Sequence, residues 1–315
     1  MPVSWKKQQL WDFGILCGFL LCGAGLLFYS KPVSAAMTQA LNLCFQVLLP
    51  SLFPFFVLSA LLISSGVVQR LSPVLERPFQ RLFGLPGCCS AALLLGAVGG
   101  YPVGARTTIL LYQQGLCSKK SAENTLRFCN NAGPAFFIGA LGSGLLGNMR
   151  IGVKLYGIHL LSALLIGLLF RNKTIDVKFN SYIDIISKKQ IGLARFLSTV
   201  TESLSAFGNV CAFVLIFAVI SCLLQQLLPV SNVFWSGLLS GILELTSGTS
   251  RLAFSALPST LLLSVLSFLC GWGGFSVHLQ TISILQDAGL SCRNYLKGKL
   301  LHGLLAALLT AILCG

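Results

Sequence analysis

Arg106 and Arg251 each follow a glycine by ten residues, Gly96 and Gly241, inside stretches that are otherwise almost free of charge. A guanidinium grips a carboxylate through two parallel N–H bonds, so a converging pair would suit a small dianion or two anionic groups on one solute. The alternative is that each arginine snorkels to its own membrane interface as an anchor. Glu244 is the acid of the second stretch. Buried there, it would carry a coupling proton, help hold Na⁺, or serve as the structural partner of an arginine. Asn130 and Asn131 bring paired donors and acceptors, for a solute or for carbonyls freed by a broken helix. Thr246, Ser247 and Thr249 add hydroxyls that either face a solute or bond back to their own helix. His278 could titrate, and Trp272, set among glycines, would stack on an aromatic solute or fill a gap. No nucleophile–base pair stands out, and the 12 cysteines lack metal-ligand spacing. Neither enzymatic chemistry nor a bound metal or other cofactor is therefore expected, apart from a coupling H⁺ or Na⁺.

The elements that position these groups are broken ones. The run GAVGGYPVGAR ends on Arg106 and packs Gly99, Gly100, Tyr101, Pro102 and Gly104 together. Glycine weakens a helix and proline removes a donor, so a helix must break here. At membrane depth a break is tolerated only where protein buries it or where it lines a watery cavity. The run FCNNAGP, with Gly133 and Pro134, is a second break. A weaker copy follows: LLSGILELTSGTSR, ending on Arg251, then CGWGGFSVH with Gly273, Gly274 and His278. Upstream, FVLSALLIS and FVLIFAVIS share five of nine positions. These anchors recur in the same order, as an internal repeat requires.

Composition sets the solvent. The chain is 55% hydrophobic and 10% charged, with a mean hydropathy of +0.84, which marks a polytopic membrane protein. Its net charge of +14 belongs to cytoplasmic loops rather than to nucleic acid. Lys6 and Lys7 precede a first span at 11–29. The motif Ser34-Ala35-Ala36 resembles a signal-peptidase site, but the run is long for a signal peptide and an uncleaved helix is expected. A span at 41–65 carries Pro50 and Pro54, and residues 69–82 form an amphipathic surface helix. A re-entrant hairpin at 91–115, spans at 128–147 and 151–170, and a Lys-rich polar connection follow. The second half repeats the plan: a span at 206–228, a hairpin at 234–257, a glycine-broken crossing at 259–285 and a last helix at 300–314.

With a cytoplasmic N-terminus and neither hairpin crossing, every Lys and Arg falls inside except Lys31, Arg150, Lys154 and the two hairpin arginines. The two halves are then inverted, and inverted repeats with broken helices are the plan of secondary transporters. The reading is an all-α polytopic membrane protein with inverted repeats and two re-entrant hairpins. Its parts are a first helix (1–40), a first repeat (41–170), a cytoplasmic polar loop (171–203) and an inverted second repeat (204–315). Its partners are the lipid bilayer and a small anionic solute, and a homo-oligomer is compatible with the pattern.

Three runs, PSLFPFFVLSALLISSG, GGYPVGAR and FCNNAGPAFFIGALG, resemble the YlbJ-type sporulation integral membrane proteins of the nucleoside-recognition or Gate group. That group is similar in architecture to concentrative nucleoside transporters. The resemblance places the family's hairpin motif on Gly100, Tyr101, Pro102, Gly104, Ala105 and Arg106. Its Asn-rich re-entry falls on Asn130, Asn131, Gly133 and Pro134, and its acidic second hairpin on Glu244. It implies a multi-pass protein of the outer forespore membrane that moves dipicolinic acid from the mother cell. A nucleoside or nucleobase carrier, or a non-transporting scaffold for the spore envelope, are the alternatives.

Overall fold

The computed structural model describes residues 5–171, 192–227 and 232–315, so most of the polar connection assigned to 171–203 lies outside the described residues. Helix α1 (Trp5–Phe28) turns by 91° into α2 (Ser30–Leu43). From α2 the helix continues through a π-helical turn (Cys44–Leu48) into α3 (Leu49–Ser64). The wide turn sits just before Pro50, whose ring would otherwise clash with the carbonyl four residues back. The amphipathic run forms α4 (Val67–Phe83), and the chain then bends by 88° into α5 (Ser90–Gly99). Gly84, at φ 66°, ends α4, and the Gly87 amide donates to Glu76 Oε2 at 2.6 Å to hold the corner. Leu71, Val74 and Leu82 of α4 stay exposed while Phe79 and Phe83 pack inward, as suits a helix lying along lipid.

Both hairpins form. The first is α5 against α6 (Val103–Gln113); α7 (Lys119–Thr125) follows. The expected span at 128–147 is helical only over Ala135–Leu145, and that helix is π. Pro134 has no amide to donate, and residues 130–133 are irregular. The chain continues through α8 (Met149–Leu169) and the long α9 (Leu193–Leu227). The second hairpin pairs α10 (Val233–Leu243) with α11 (Leu245–Ala253). Helices α12 (Ser259–Trp272) and α13 (Gly274–Asp287) meet at Gly273, where φ is 92°. Helix α14 (Arg293–Cys314) closes the fold and starts a full two turns before the expected 300. Among the described residues four helical segments are long and apolar enough to cross a membrane, and the two bent pairs raise the number to as many as six.

Side-chain contacts sort the helix ends into two groups. At one end, Arg127 donates to Asn294 and lies over the Phe170 ring, and Glu123 accepts from the Ser291 amide. The open end of the first hairpin is here too, with Cys88 on the Leu116 carbonyl at 3.2 Å. At the other end, Lys154 donates to the Leu313 carbonyl and Thr260 to that of Cys314. The second hairpin opens on that side, its Arg251 donating to Ser236 across the hairpin and to Gln225 at the end of α9. The hairpins therefore enter from opposite faces.

Helix α14 shows how such a chain folds in lipid. Leu300, Leu304, Leu308 and Ile312 are exposed along one face, while Tyr295, Lys299, His302, Ala306 and Thr310 are buried along the other. Lipid tails are as apolar as leucine, so small and polar residues make the helix–helix contacts. Gly271 and Gly303 let α12 and α14 approach so closely that a Cβ on Gly271 would lie 2.5 Å from the Gly303 Cα.

Candidate functional site

The tips of the two hairpins, the first helix break and the helix that follows the second break meet around one cavity of about 240 Å³. From the first hairpin tip come Gly100 and Tyr101; from the first break, Ala132, Gly133 and Pro134. From the second tip come Glu244, Leu245 and Thr246, and from beyond the second break Ser276, Val277 and Gln280. Leu52, Phe55, Val210 and Val214 complete an apolar wall.

Each tip rests on the break of its own half, backbone against backbone. A Cβ on Gly133 would fall 3.1 Å from the Gly100 nitrogen, and one on Gly274 would fall 3.2 Å from the Leu245 nitrogen. Gly100 also holds φ 81° and ψ −176°, a backbone that side chains exclude. Cross-links then join the halves. Tyr101 donates from its hydroxyl to the Cys270 carbonyl at 2.7 Å, and Asn130 Nδ2 donates to Thr281 Oγ1 at 3.2 Å.

Glu244 is 6% exposed, and its oxygens accept from the Thr246 and Ser247 amides at 2.9 and 2.7 Å, capping α11 rather than holding Arg251, which donates to Ser236 and Gln225. The other three helix starts around the cavity, at Val103, Ala135 and Gly274, carry no side-chain cap. Their partial positive charge remains available.

The expected residues divide accordingly. Gly100, Tyr101, Gly133, Glu244 and Thr246 line the cavity. Gly273, Gly274, Asn130, Asn131 and His278 stand behind its wall, Asn131 donating to the Phe128 carbonyl at 2.9 Å. Thr249 bonds back to the Leu245 carbonyl at 2.9 Å, and the Ser247 amide serves the Glu244 cap. Gly104 leaves room for the Cys129 carbonyl, which a Cβ there would meet at 2.0 Å.

The arginine pair does not converge. Arg106 donates to Ser203 at 3.4 Å and lies over the Phe56 ring, whereas Arg251 donates to Ser236 and Gln225. Ser203 and Gln225 both belong to α9, 22 residues apart, about 33 Å at ~1.5 Å per residue. That separation is close to the thickness of a hydrocarbon core, so one small dianion cannot reach both. The two guanidiniums lie toward opposite ends of α9. The inversion that made the halves symmetric also carried their arginines apart.

A family model described as Gate, nucleoside recognition, matches residues 45–217, which include the first hairpin and the first break. The chain is 31% identical to the sporulation integral membrane protein YlbJ of Bacillus subtilis strain 168, an alignment covering 94% of this chain and 81% of the relative. No solved structure matches it. The chain belongs to the Gate family.

This Gate protein also holds polar groups outside the expected site residues, among them His159 and His302, whose sequence setting on apolar helices suits packing or helix–helix hydrogen bonds. Gln280 and Ser276 line the cavity. Lys299, expected in a cytoplasmic loop, is 1% exposed and donates from Nζ to the Asn130 carbonyl at 3.0 Å, beneath the Tyr101 ring. His159 Nε2 accepts from the Ala132 amide at 3.1 Å, so its proton sits on Nδ1. His302 Nε2 in turn donates to the His159 carbonyl at 2.9 Å. The signal for Lys299 was the spacing of Tyr295, Lys299, His302 and Ala306, one face of a helix that begins earlier than expected.

Proposed function

We propose that this chain is a secondary transporter for a small planar aromatic acid, dipicolinic acid, working by alternating access around the cavity. The observation that carries the reading is the cavity itself, lined by both hairpin tips, the first helix break and the helix that follows the second. A site shared by two inverted halves is exposed to one side or the other when one half rocks against its mate. Tyr101, Phe55 and Phe136 offer ring faces to a planar solute. The uncapped helix starts offer donors to its carboxylates, the part first given to the arginines. The sporulation name of the Bacillus subtilis relative supports a role in spore formation, and the outer forespore membrane is the membrane we assign.

A nucleoside is the second reading. The family description supports it, and so do the uncharged donors and acceptors of Gln280, Ser276 and Thr246 beside Glu244. The test is uptake of labelled dipicolinate and labelled uridine into proteoliposomes carrying the full chain. Saturable dipicolinate uptake, displaced by unlabelled dipicolinate but not by uridine and lowered at least tenfold by Tyr101→Ala, is expected. Uridine uptake alone would replace the solute. Uptake of neither would overturn transport and return the scaffold.

A further inference from the structure

Among the described residues Lys299 is the buried cation, and its surroundings are unusual for one. A charge at membrane depth needs a partner, either an opposite charge or backbone carbonyls. The titratable groups around Lys299 are Tyr101 on the first hairpin tip, Cys129 before the first break and Cys270 on α12. His159 on α8, His278 on α13 and His302 on its own helix complete the set, with Tyr295 bonded to His278 at 3.0 Å. None is an acid. What Nζ has is the Asn130 carbonyl, released by the break, and the face of Tyr101 at 5.2 Å. A freed carbonyl and an aromatic face are both cation ligands. The Asn130 side-chain oxygen is a further buried acceptor with no donor.

We propose that Lys299 is a built-in cation standing where a broken-helix transporter would take up Na⁺, so that this protein needs no Na⁺ and carries its coupling proton on Nζ. In that step an N–H bond of the ammonium breaks and the proton passes to a water molecule. The electron pair stays on nitrogen, leaving a neutral amine and a hydronium ion. The charge that holds the first break and the Tyr101 tip to α14 is then gone, and those parts are released to move. Reprotonation from the opposite side restores the hold. The coupling half of this proposal rests on the transport reading above; the cation half does not.

Two measurements on the full chain separate them. Thermal melting in detergent is compared in NaCl and in choline chloride at equal ionic strength. The wild type and Lys299→Arg are expected to melt alike in both salts. Lys299→Gln is expected to melt lower in choline and to recover with rising NaCl along a saturating curve. A wild type stabilised by Na⁺ over choline overturns the cation half. So does a folded Lys299→Gln indifferent to Na⁺. If Lys299→Gln does not fold, Lys299→Arg decides: melting below the wild type and raised by NaCl overturns it. In proteoliposomes, labelled dipicolinate uptake is expected to change at least tenfold with an imposed pH gradient and not with a Na⁺ gradient. Lys299→Arg should lose the pH response while melting like the wild type. Uptake driven by Na⁺, or an unchanged pH response in Lys299→Arg, overturns the coupling half. Absence of wild-type uptake under any gradient overturns the coupling half together with the transport reading, while the melting comparison still decides the cation half.

Discussion

The first hairpin closes on a notch that only glycine permits, and this can be tested with a single methyl group. In Gly104→Ala the new Cβ would meet the Cys129 carbonyl oxygen at 2.0 Å and its carbon at 2.7 Å, with the Gly96 Cα at 3.1 Å on the other side. A relaxed C···O contact is about 3.3 Å, so some 1.3 Å must open between backbones that cannot change rotamer. A displacement of that size at the hairpin would also strain the 2.7 Å bond from Tyr101 to the Cys270 carbonyl. Overpacking costs about 1–3 kcal/mol and a lost hydrogen bond about 1, so Gly104→Ala should lose about 3 kcal/mol, roughly a hundred-fold in the folded-to-unfolded ratio. Gly157 on α8 is the control: its Cβ would meet nothing within 4 Å, and Gly157→Ala should be neutral or gain up to ~1 kcal/mol from helix propensity. Tryptophan fluorescence during thermal unfolding in detergent reports both. Equal midpoints for Gly104→Ala and wild type would refute the notch and the close backbone approach on which the hairpin's position rests.

Three further outcomes follow from the contacts. Glu244→Ala should lose about 2 kcal/mol by removing the α11 cap, whereas Glu244→Asn, a good cap, should stay within about 0.5 kcal/mol of the wild type in the same melting assay. Arg106→Gln and Arg251→Gln should lower stability additively to within about 0.5 kcal/mol, because residues so far apart do not couple; a strongly non-additive loss of dipicolinate uptake in the double variant would restore the clamp. Tyr101→Phe should lose about 1 kcal/mol by orphaning the Cys270 carbonyl, readable as a lower melting midpoint with the ring contact to Lys299 kept.

Much of the fold was legible because breakers and hydropathy act locally. The run through Gly100, Tyr101 and Pro102 forbids a continuous helix wherever the chain goes, and the structure turns there. The same holds for Gly273 and Gly274. Element ends were less legible. The start of helix α14 at Arg293, not 300, was hidden because a Lys inside a helix looks, in one dimension, like the lysine that flanks one. The site was half legible. Glycines and the tyrosine of the tip report backbone conformation, so their place at the cavity follows from the break. Arg106 and Arg251 were read through the symmetry of the repeat, but inversion sends equivalent side chains to opposite faces. Long side chains on an inverted repeat meet at the midplane only if they point along the helix toward the tip. Here they reach back to Ser203 and to Gln225 instead.

The two halves share a backbone plan and differ in electrostatics, and that difference gives the cavity a direction. In the second half the carboxylate of Glu244 spends itself on the amides of α11, so that helix start presents no free positive charge. In the first half the start of α6 has no side-chain cap, and Tyr101 just before it carries the Lys299 ammonium behind its ring. An anion entering the cavity therefore meets a negative wall at one tip and a positive one at the other. It should lie with its carboxylates toward the amides at the start of α6 and its ring among the side chains of Tyr101, Phe55, Val210 and Val214. A nucleoside, with no charge to orient, would instead put its base edge against Gln280 and Glu244. The asymmetry between the tips thus distinguishes the two solutes more sharply than cavity size or apolar lining, which both would satisfy.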